Sequence, residues 1–554
     1  MDKIFLALIV LALILILSAV GAYNNRKNRE YIKRKIKENY GGLPMRIYHD
    51  GEYEHICGYF ANHKSNFSID DITWNDLNMD EMFARMNYTR SSAGEEFLYN
   101  ILRSPNIDGI DENFEKKVDY FASNEEERLK VSMMLFDCGR TGKYSIYDYL
   151  NNLDNLEGLS AKSDILIVMV YIVAAICFVI NIEVGILAFI FAFLLGALTY
   201  FSKKKKIEPY ITCFSYVFRM IGTANALSKN KCDATEDYCE KLHELSASMN
   251  SFGRFSGLVM NNMTGNGNPL EIIVEYSKIF LHLDIIKFFH MLDQINKHWD
   301  DIDSMIEIVG KIDCAISIAY YRASLAGWCN PTFTDEGIET EGVYHPLLNA
   351  PVDNDITIKK GVLLTGSNAS GKSTFLKTVA INIILAQAIN TCMARSFKAS
   401  HFRVYTSLAL QDSIFDGESY YMTEIKSLKR IIDEGKKTDV PIFACVDEVL
   451  RGTNTIERVS ASSVILRNLS YTKGIIMAAT HDLELATLLA DVYDNYHFEE
   501  NIEGNDISFS YKIMTGKART RNAIKLLEIM GYDKDIIDNA SKVAKHYEET
   551  GAFE

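Results

Sequence analysis

Three stretches of the chain lack charged side chains for about the length of a bilayer core: Ile4–Tyr23, Ile165–Ile182 and Val184–Ser202. A helix of that length crosses roughly 30 Å of hydrocarbon. Asn181 and Glu183 mark a very short polar turn between the last two runs, which predicts a helical hairpin with both outer ends on one side. From Glu208 through Ala326 apolar residues recur at helical spacing, as in Leu281, Ile285, Phe288, Phe289 and Leu292, the pattern of core-packing faces. Past residue 340 the pattern changes. Short apolar runs at Gly361–Thr365, Pro441–Val446 and Gly474–Ala479 read as buried strands, and Thr374–Asn390 as a buried helix.

Charge orients the apolar runs. Arg26, Lys27, Arg29, Lys33, Arg34, Lys35 and Lys37 follow the first, and Lys203–Lys206 follow the third. By the positive-inside rule both clusters are cytoplasmic, so the N-terminus is outside and the bulk of the chain inside. The alternatives are a cleaved signal peptide for the first run and a buried soluble hairpin for the other two. A cleaved signal fits poorly with Asp2 beside Lys3 and so long an apolar run; a soluble core rarely holds a region carrying Glu183 as its one charge. The lysine run beside the membrane suits anionic lipid heads better than DNA phosphates. The net charge of -15 over 554 residues excludes a protein that coats nucleic acid by bulk charge and leaves room for a local basic face. Ten cysteines without a C-x-x-C pair suggest reduced thiols and no zinc site.

The strongest chemical pattern is Gly366-Ser367-Asn368-Ala369-Ser370-Gly371-Lys372-Ser373, followed by Thr374. It fills every fixed position of G-x-x-x-x-G-K-[ST], between a strand and a helix as that motif requires, which a chance glycine turn would not. Backbone N–H groups of such a loop cradle phosphates, Lys372 would supply a point charge to the β and γ phosphates of ATP, and Ser373 a ligand for Mg²⁺. The second strand ends in Asp447-Glu448, read as a metal-binding carboxylate and a general base. The third ends in Thr480-His481-Asp482, where His481 reads as a catalytic contact to the γ-phosphate or the lytic water.

This trio, and the segments around it, resembles the ATPase domain of the MutS family, a relative of ABC-type ATPases. Tyr344–Leu348 is similar to the opening His-Pro segment, Asn354-Asp355 to the loop over the nucleotide base, and Asp412–Ile425 to the signature segment through Gly417, Ser419 and Glu424. DEVLRGTN at Asp447–Asn454 resembles the Asp-Glu and Arg-Gly-Thr pattern, and Tyr511–Lys542 the closing helical tail. Asn78–Pro105 is similar to the start of the family's helical core, with Thr89, then Gly94, then a helix over Glu95–Leu102. The resemblance implies an α/β P-loop NTPase domain joined to an all-α lever, with ATP sandwiched in a homodimer. Asn354 would lie over the base and the partner's Ser419 would act in trans. There are departures: Leu450 stands where the family usually has Gly, Glu457-Arg458 where Asp-Gly is common, and Tyr420-Tyr421 where Thr-Phe is usual.

The expected division is a first transmembrane helix over 1–23, a basic linker over 24–70, lever helices over 71–163, the hairpin over 164–202, further lever helices over 203–335, and the ATPase domain with its tail over 336–545. About 40 residues between the first basic cluster and the helical core are too few for the family's mismatch-reading and connector domains. The F-x-E at Phe498–Glu500 falls beyond the ATPase strands and cannot be the family's DNA wedge. The resulting expectation is a multi-pass protein of a bacterial plasma membrane whose ATP cycle moves a helical lever. The lever grips DNA, as the resemblance implies, or moves the membrane hairpin or a protein partner without nucleic acid; a transporter is a weaker third reading, because the spans carry little polar lining.

Overall fold

The computed structural model describes residues 2–49, 51–63, 65–152, 156, 159–253, 259, 278–335, 337–367, 370–408, 420–437, 440–451, 453–503, 506–518, 524, 527 and 530–550. These form two compact units, one of residues 1–64, 86–100 and 111–324, the other of residues 65–85, 101–110 and 325–554. The boundary crosses the linear division expected above, since residues 65–85 and 101–110 join the strand-containing unit instead of the helices around them. Within that unit Asp76 accepts from the Thr406 hydroxyl (2.7 Å) and the Leu408 N–H (2.9 Å), and the Ile69 N–H donates to Arg103 O at 2.8 Å.

The first unit is helical. Its main elements are α1 (Asp2–Glu38), most of α2 (Ser92–Arg103), α3 (Glu112–Ser123), α4 (Glu125–Cys138), α5 (Lys162–Ile180), α6 (Ile182–Ser228), α7 (Glu236–Ser248), α8 (Leu283–Lys297) and α9 (Trp299–Ser324). Helices α5 and α6 form the expected hairpin. Its turn is tighter than the polar pattern suggested: Asn181 alone breaks the helix, and its side chain caps α6 by accepting from the Glu183 and Val184 N–H groups. Among the described residues α5 and α6 are the two helices long and apolar enough to cross a membrane. The first apolar run lies in α1, and the side chains of residues 1–18 are outside the described ones. In the hairpin, side chains such as Val179, Ile180, Leu187 and Leu198 are exposed, an apolar patch of the kind that marks an interaction surface.

Helix α6 does not stop at the end of its apolar run. At about 1.5 Å per residue its 47 residues reach roughly 70 Å. Beyond Ser202 it buries Ile207, Tyr210, Ile211, Phe214, Val217, Met220 and Leu227 in the helical core, the i, i+3, i+4, i+7 spacing of one face. Pro209 is tolerated within it. The lysine run at this junction is only half exposed. Lys203 is held by the buried Asp164, Ser163 Oγ (2.6 Å) and Ser160 O, and Lys204 by the buried Asp284 at 2.6 Å; Lys205 and Lys206 are exposed. Two carboxylates this deeply buried need partnered cations, and the adjacent lysines supply them. Of the expected apolar stripe, Ile285 and Phe288 are fully buried on α8, whereas Leu281 precedes the helix and is exposed.

The second unit holds β1 (Thr332–Phe333), β2 (Ile338–Val343), β3 (Asn354–Ile358), β4 (Gly361–Thr365), α10 (Lys372–Ile389), β5 (Ser396–Ala399), β6 (Arg403–Ser407), α11 (Tyr420–Gly435), β7 (Ile442–Asp447), α12 (Thr455–Leu469), β8 (Gly474–Thr480), α13 (Leu483–Leu488), β9 (Tyr493–His497), β10 (Glu500–Glu503), β11 (Asp506–Phe509), β12 (Met514–Thr515) and α14 (Lys534–Thr550). A six-stranded sheet runs β12-β9-β4-β8-β7-β6, parallel except for the edge strand β12. β1-β5-β2-β3 form a second, four-stranded sheet. β4 and β6 are buried at every residue, as strands covered on both faces must be. Helix α10 is apolar nearly all round and correspondingly buried.

Candidate nucleotide site

Register brings the sequence motifs together. Thr365, the last residue of β4, lies opposite Thr480 of β8, and Asp447 at the end of β7 lies opposite Ala479. The glycine loop, the Asp447-Glu448 pair and His481 therefore emerge at the carboxyl ends of three adjacent parallel strands, where α/β sheets bind ligands. The loop needs its glycines. Gly366 has φ +142° and Gly371 +104°; a Cβ on Gly366 would fall 2.7 Å from Phe498 O, and one on Gly371 3.1 Å from the Tyr511 ring.

Lys372 opens α10, and its ammonium donates to the carbonyls of Gly366 and Ser367, each at 2.7 Å. Burial lowers its pKa, while the carboxylates of Asp447, Glu448 and Glu500 oppose that shift. Ser370 closes the turn through Ser367 O. Ser367 donates to Glu500 at 2.6 Å. The Ser373 hydroxyl donates directly to the Asp447 carboxylate. Asn368, Ala369 and Ser419 lie outside the described residues.

Burial pushes the Asp447 carboxyl up, against the Ser373 hydrogen bond and Lys372. Its neighbour moves the other way. Glu448 is held below the usual glutamate range, mainly by a hydrogen bond with His481, whose Nδ1 lies 3.3 Å from Glu448 Oε1. Arg451 Nε approaches the second carboxylate oxygen at 3.0 Å. The same pairing raises the His481 pKa. Asp482, whose Oδ1 lies 3.7 Å from His481 Nε2, forms a two-pronged ion pair with Arg458, at 2.7 and 2.9 Å. Arg458 is one of the departures from the family pattern, and here it fixes the segment that carries His481. The backbone after β7 is strained: Glu448 and Leu450 both have positive φ, +51° and +58°, at about 1–3 kcal/mol each for residues with a Cβ.

Beside the loop lies a cavity of about 450 Å³, within the range of small-molecule sites. Leu348, Ala350 and Val352 give it an apolar wall, and Lys372, Ser373 and Thr374 a polar one. Asn354 lines it, but its side chain is spent on the backbone: it donates to Tyr511 O (3.0 Å) and accepts from the Ile513 N–H (2.8 Å). Its structural effect is to seat Tyr511, itself at φ +51°, against the loop. His345 also lines the cavity; burial lowers its pKa to about 4, and its Nδ1 accepts from the Leu347 N–H, so the ring is neutral at pH 7. Tyr511, Phe498 and Glu500 have no spacing signal in the sequence, because they reach the loop only through strand pairing more than 100 residues later.

A parallel sheet with this loop, this Ser–Asp pair and this Glu–His pair at one edge defines a P-loop nucleotide-binding domain. Residues 362–548 match MutS domain V. The chain is 24% identical over 318 residues to the DNA mismatch repair protein MSH3 of Candida glabrata, covering 54% of this chain and 31% of that protein. It is 28% identical over 272 residues to the DNA mismatch repair protein MutS of Thermotoga maritima (46% and 33%) and 26% identical over 293 residues to MutS of Lactococcus lactis subsp. lactis (50% and 34%). Residues 362–548 are thus similar to the MutS ATPase-type domain, and the chain spans about a third of the length of the curated relatives it matches.

Proposed function

We propose that this protein is a membrane-anchored, dimeric ATPase that hydrolyses ATP to ADP and phosphate and uses the cycle to move its helical unit. The observation that carries this reading is the convergence of Lys372, Ser373, Asp447, Glu448 and His481 at the carboxyl ends of β4, β7 and β8. The loop amides and Lys372 bind the phosphates. Ser373 and Asp447, hydrogen-bonded to each other beside Lys372, are hard oxygen donors that fit Mg²⁺, which would neutralise phosphate charge when bound. Glu448 takes a proton from the attacking water, and His481 orients that carboxylate. The apolar wall and Tyr511 accept the base, and His345 stays neutral beside it.

The relatives named for DNA mismatch repair support DNA as the object of the cycle. A second reading, movement of membrane or of a protein partner without nucleic acid, is favoured by the exposed apolar hairpin and by the continuity of α6 from hairpin to helical core. In this reading the hairpin anchors the protein in the bacterial plasma membrane, with the catalytic domain in the cytoplasm and the N-terminus outside.

One experiment separates the two. ATP turnover and DNA binding are measured on the detergent-solubilised full chain with duplex, branched and mismatched DNA across a salt series. Stimulated turnover with salt-sensitive binding selects DNA; no response at any salt selects the second reading. Absence of turnover in every condition sinks the ATPase itself. The composite dimer site is tested by mixing Lys372→Ala and Ser419→Ala chains, each inactive alone. Heterodimers should regain one working site, and a mixture as inactive as its parents would overturn action in trans.

A further inference from the structure

The loop that carries Glu448 is held in a conformation its residues disfavour, and the restraints can be named. After β7 the chain passes through Glu448 at φ +51° and Leu450 at φ +58°. Neither is glycine or asparagine, the residues that take this region with least penalty. Three contacts hold the loop there. The Glu448 N–H donates to Ala479 O at 2.9 Å, the Ser462 hydroxyl donates to Val449 O at 3.0 Å, and the Leu450 N–H donates to the Glu424 carboxylate. The first two come from elements fixed in place, namely the central strand β8 and helix α12, where Ser462 is fully buried.

The third contact differs. Glu424 lies on α11, near the start of the helix that follows the signature-like segment, and its residue is only 4% exposed. It reaches across to the backbone of another element; burial raises its pKa, against the Leu450 and Arg451 backbone, which favours the charged form. A buried carboxylate accepting a backbone N–H is a strong, charge-assisted restraint. Its position makes that restraint depend on where α11 stands.

We infer that Glu424 is a positioning residue, a strut through which α11 holds the strained 448–450 loop and thereby sets the orientation of Glu448. With the strut in place, Glu448 faces His481 and Arg451. Without it, the loop relaxes toward ordinary backbone conformations and carries the Glu448 carboxylate with it. The Leu at position 450 makes the strut necessary: a residue that accepts positive φ unaided would not need it. Movement of α11 is thus converted into movement of the catalytic carboxylate through one hydrogen bond. The inference rests on the ATPase reading for its functional consequence, but not for the strut itself.

The test uses the full chain in detergent, with two readouts. Hydrogen exchange at the Leu450 amide reports the strut whether or not ATP is hydrolysed. It should be protected in the wild type, open in Glu424→Ala, and protected in Glu424→Gln, which keeps an acceptor. Steady-state kinetics with MgATP report the consequence: Glu424→Ala should lower kcat about 10²-fold, the scale of a catalytic group displaced by about 1 Å, with KM for ATP near the wild-type value. Glu424→Gln should retain most of the turnover. A second substitution, Leu450→Gly or, if the lost side chain weakens folding, Leu450→Asn, should restore kcat in the Glu424→Ala background, because either residue holds positive φ without the strut. A purely structural role for Glu424 predicts no such rescue. Unchanged exchange at Leu450 in Glu424→Ala overturns the strut. Changed exchange with unchanged kcat, or failure of both rescues, overturns its coupling to catalysis. A wild type that hydrolyses no ATP refutes the ATPase reading and leaves the exchange result to decide the strut.

Discussion

Glu448→Gln is expected to bind ATP and to hydrolyse it about 10²–10⁴-fold more slowly than the wild type, the contribution of a positioned general base. The substitution keeps the shape of the side chain and an oxygen that can accept from His481, and the exposed Arg451 can swing away from the new NH2, so the loop has no reason to rearrange. It removes the ability to take a proton from water. Binding should survive because Lys372, the loop amides and Ser373 are on a different strand end. Equilibrium binding of a fluorescent ATP analogue, paired with single-turnover hydrolysis, separates the two effects. Turnover within a few-fold of wild type would remove Glu448 from the role of base.

The pH dependence follows from the same pair. The His481 hydrogen bond holds Glu448 below the ordinary glutamate range, so the carboxylate stays ionised as pH falls and the acid limb of kcat should lie below that range. His481→Asn takes away the largest cause of the depression. What remains is burial, which raises a carboxyl pKa, opposed by the charges of Arg451 and Lys372. The acid limb should then move to higher pH, and a limb that stays in place would show that another group sets it.

Much of this site was legible because each motif sits where a backbone pattern changes. The apolar run Val362–Leu364 ends at Gly366, and the observed strand is Gly361–Thr365 as expected. The runs ending before Asp447 and His481 likewise became β7 and β8 within a residue. Local sequence encodes such boundaries, since burial on both faces and a glycine at positive φ are properties of single residues. Strand order is another matter. That β8 lies between β4 and β7, which brings His481 to Glu448, depends on strand pairing, with β4 and β8 more than 100 residues apart in sequence. The Arg458–Asp482 pair and the Glu424–Leu450 contact, 24 and 26 residues apart, likewise come from packing between elements and not from a local pattern. The lysine run shows the opposite failure. Four consecutive lysines beside an apolar helix read as a lipid-facing patch, but Asp164 and Asp284, remote in sequence, take two of them inside.

Gly94→Ala is expected to destabilise the helical unit by several kcal/mol, about 2–5 on the cost of leaving buried donors unpaired. Asp313, fully buried on α9, accepts from the backbone N–H groups of Arg90 and Ser91 (3.0 and 2.8 Å) and from the Ser91 hydroxyl at 2.6 Å. It thus satisfies donors just ahead of α2 that the helix itself leaves open. Gly94 leaves room for that carboxylate: a Cβ there would fall 2.3 Å from Asp313 Oδ2. Alanine must therefore push Asp313 away and strand the three donors together. Asp313→Ala strands them directly and should cost a similar amount. Since both substitutions break the same contacts, the double variant should be little worse than Asp313→Ala alone, as the smaller side chain leaves space for the new methyl. The buried thiol of Cys314, next in sequence to Asp313, is the local reporter. Its labelling by a thiol reagent during a thermal ramp should begin roughly 10 °C lower in Gly94→Ala, at a few degrees per kcal/mol for a unit of this size. Costs that simply add in the double variant would mean that Gly94 and Asp313 act independently, and that the close approach of α2 to α9 is not what requires glycine at this position.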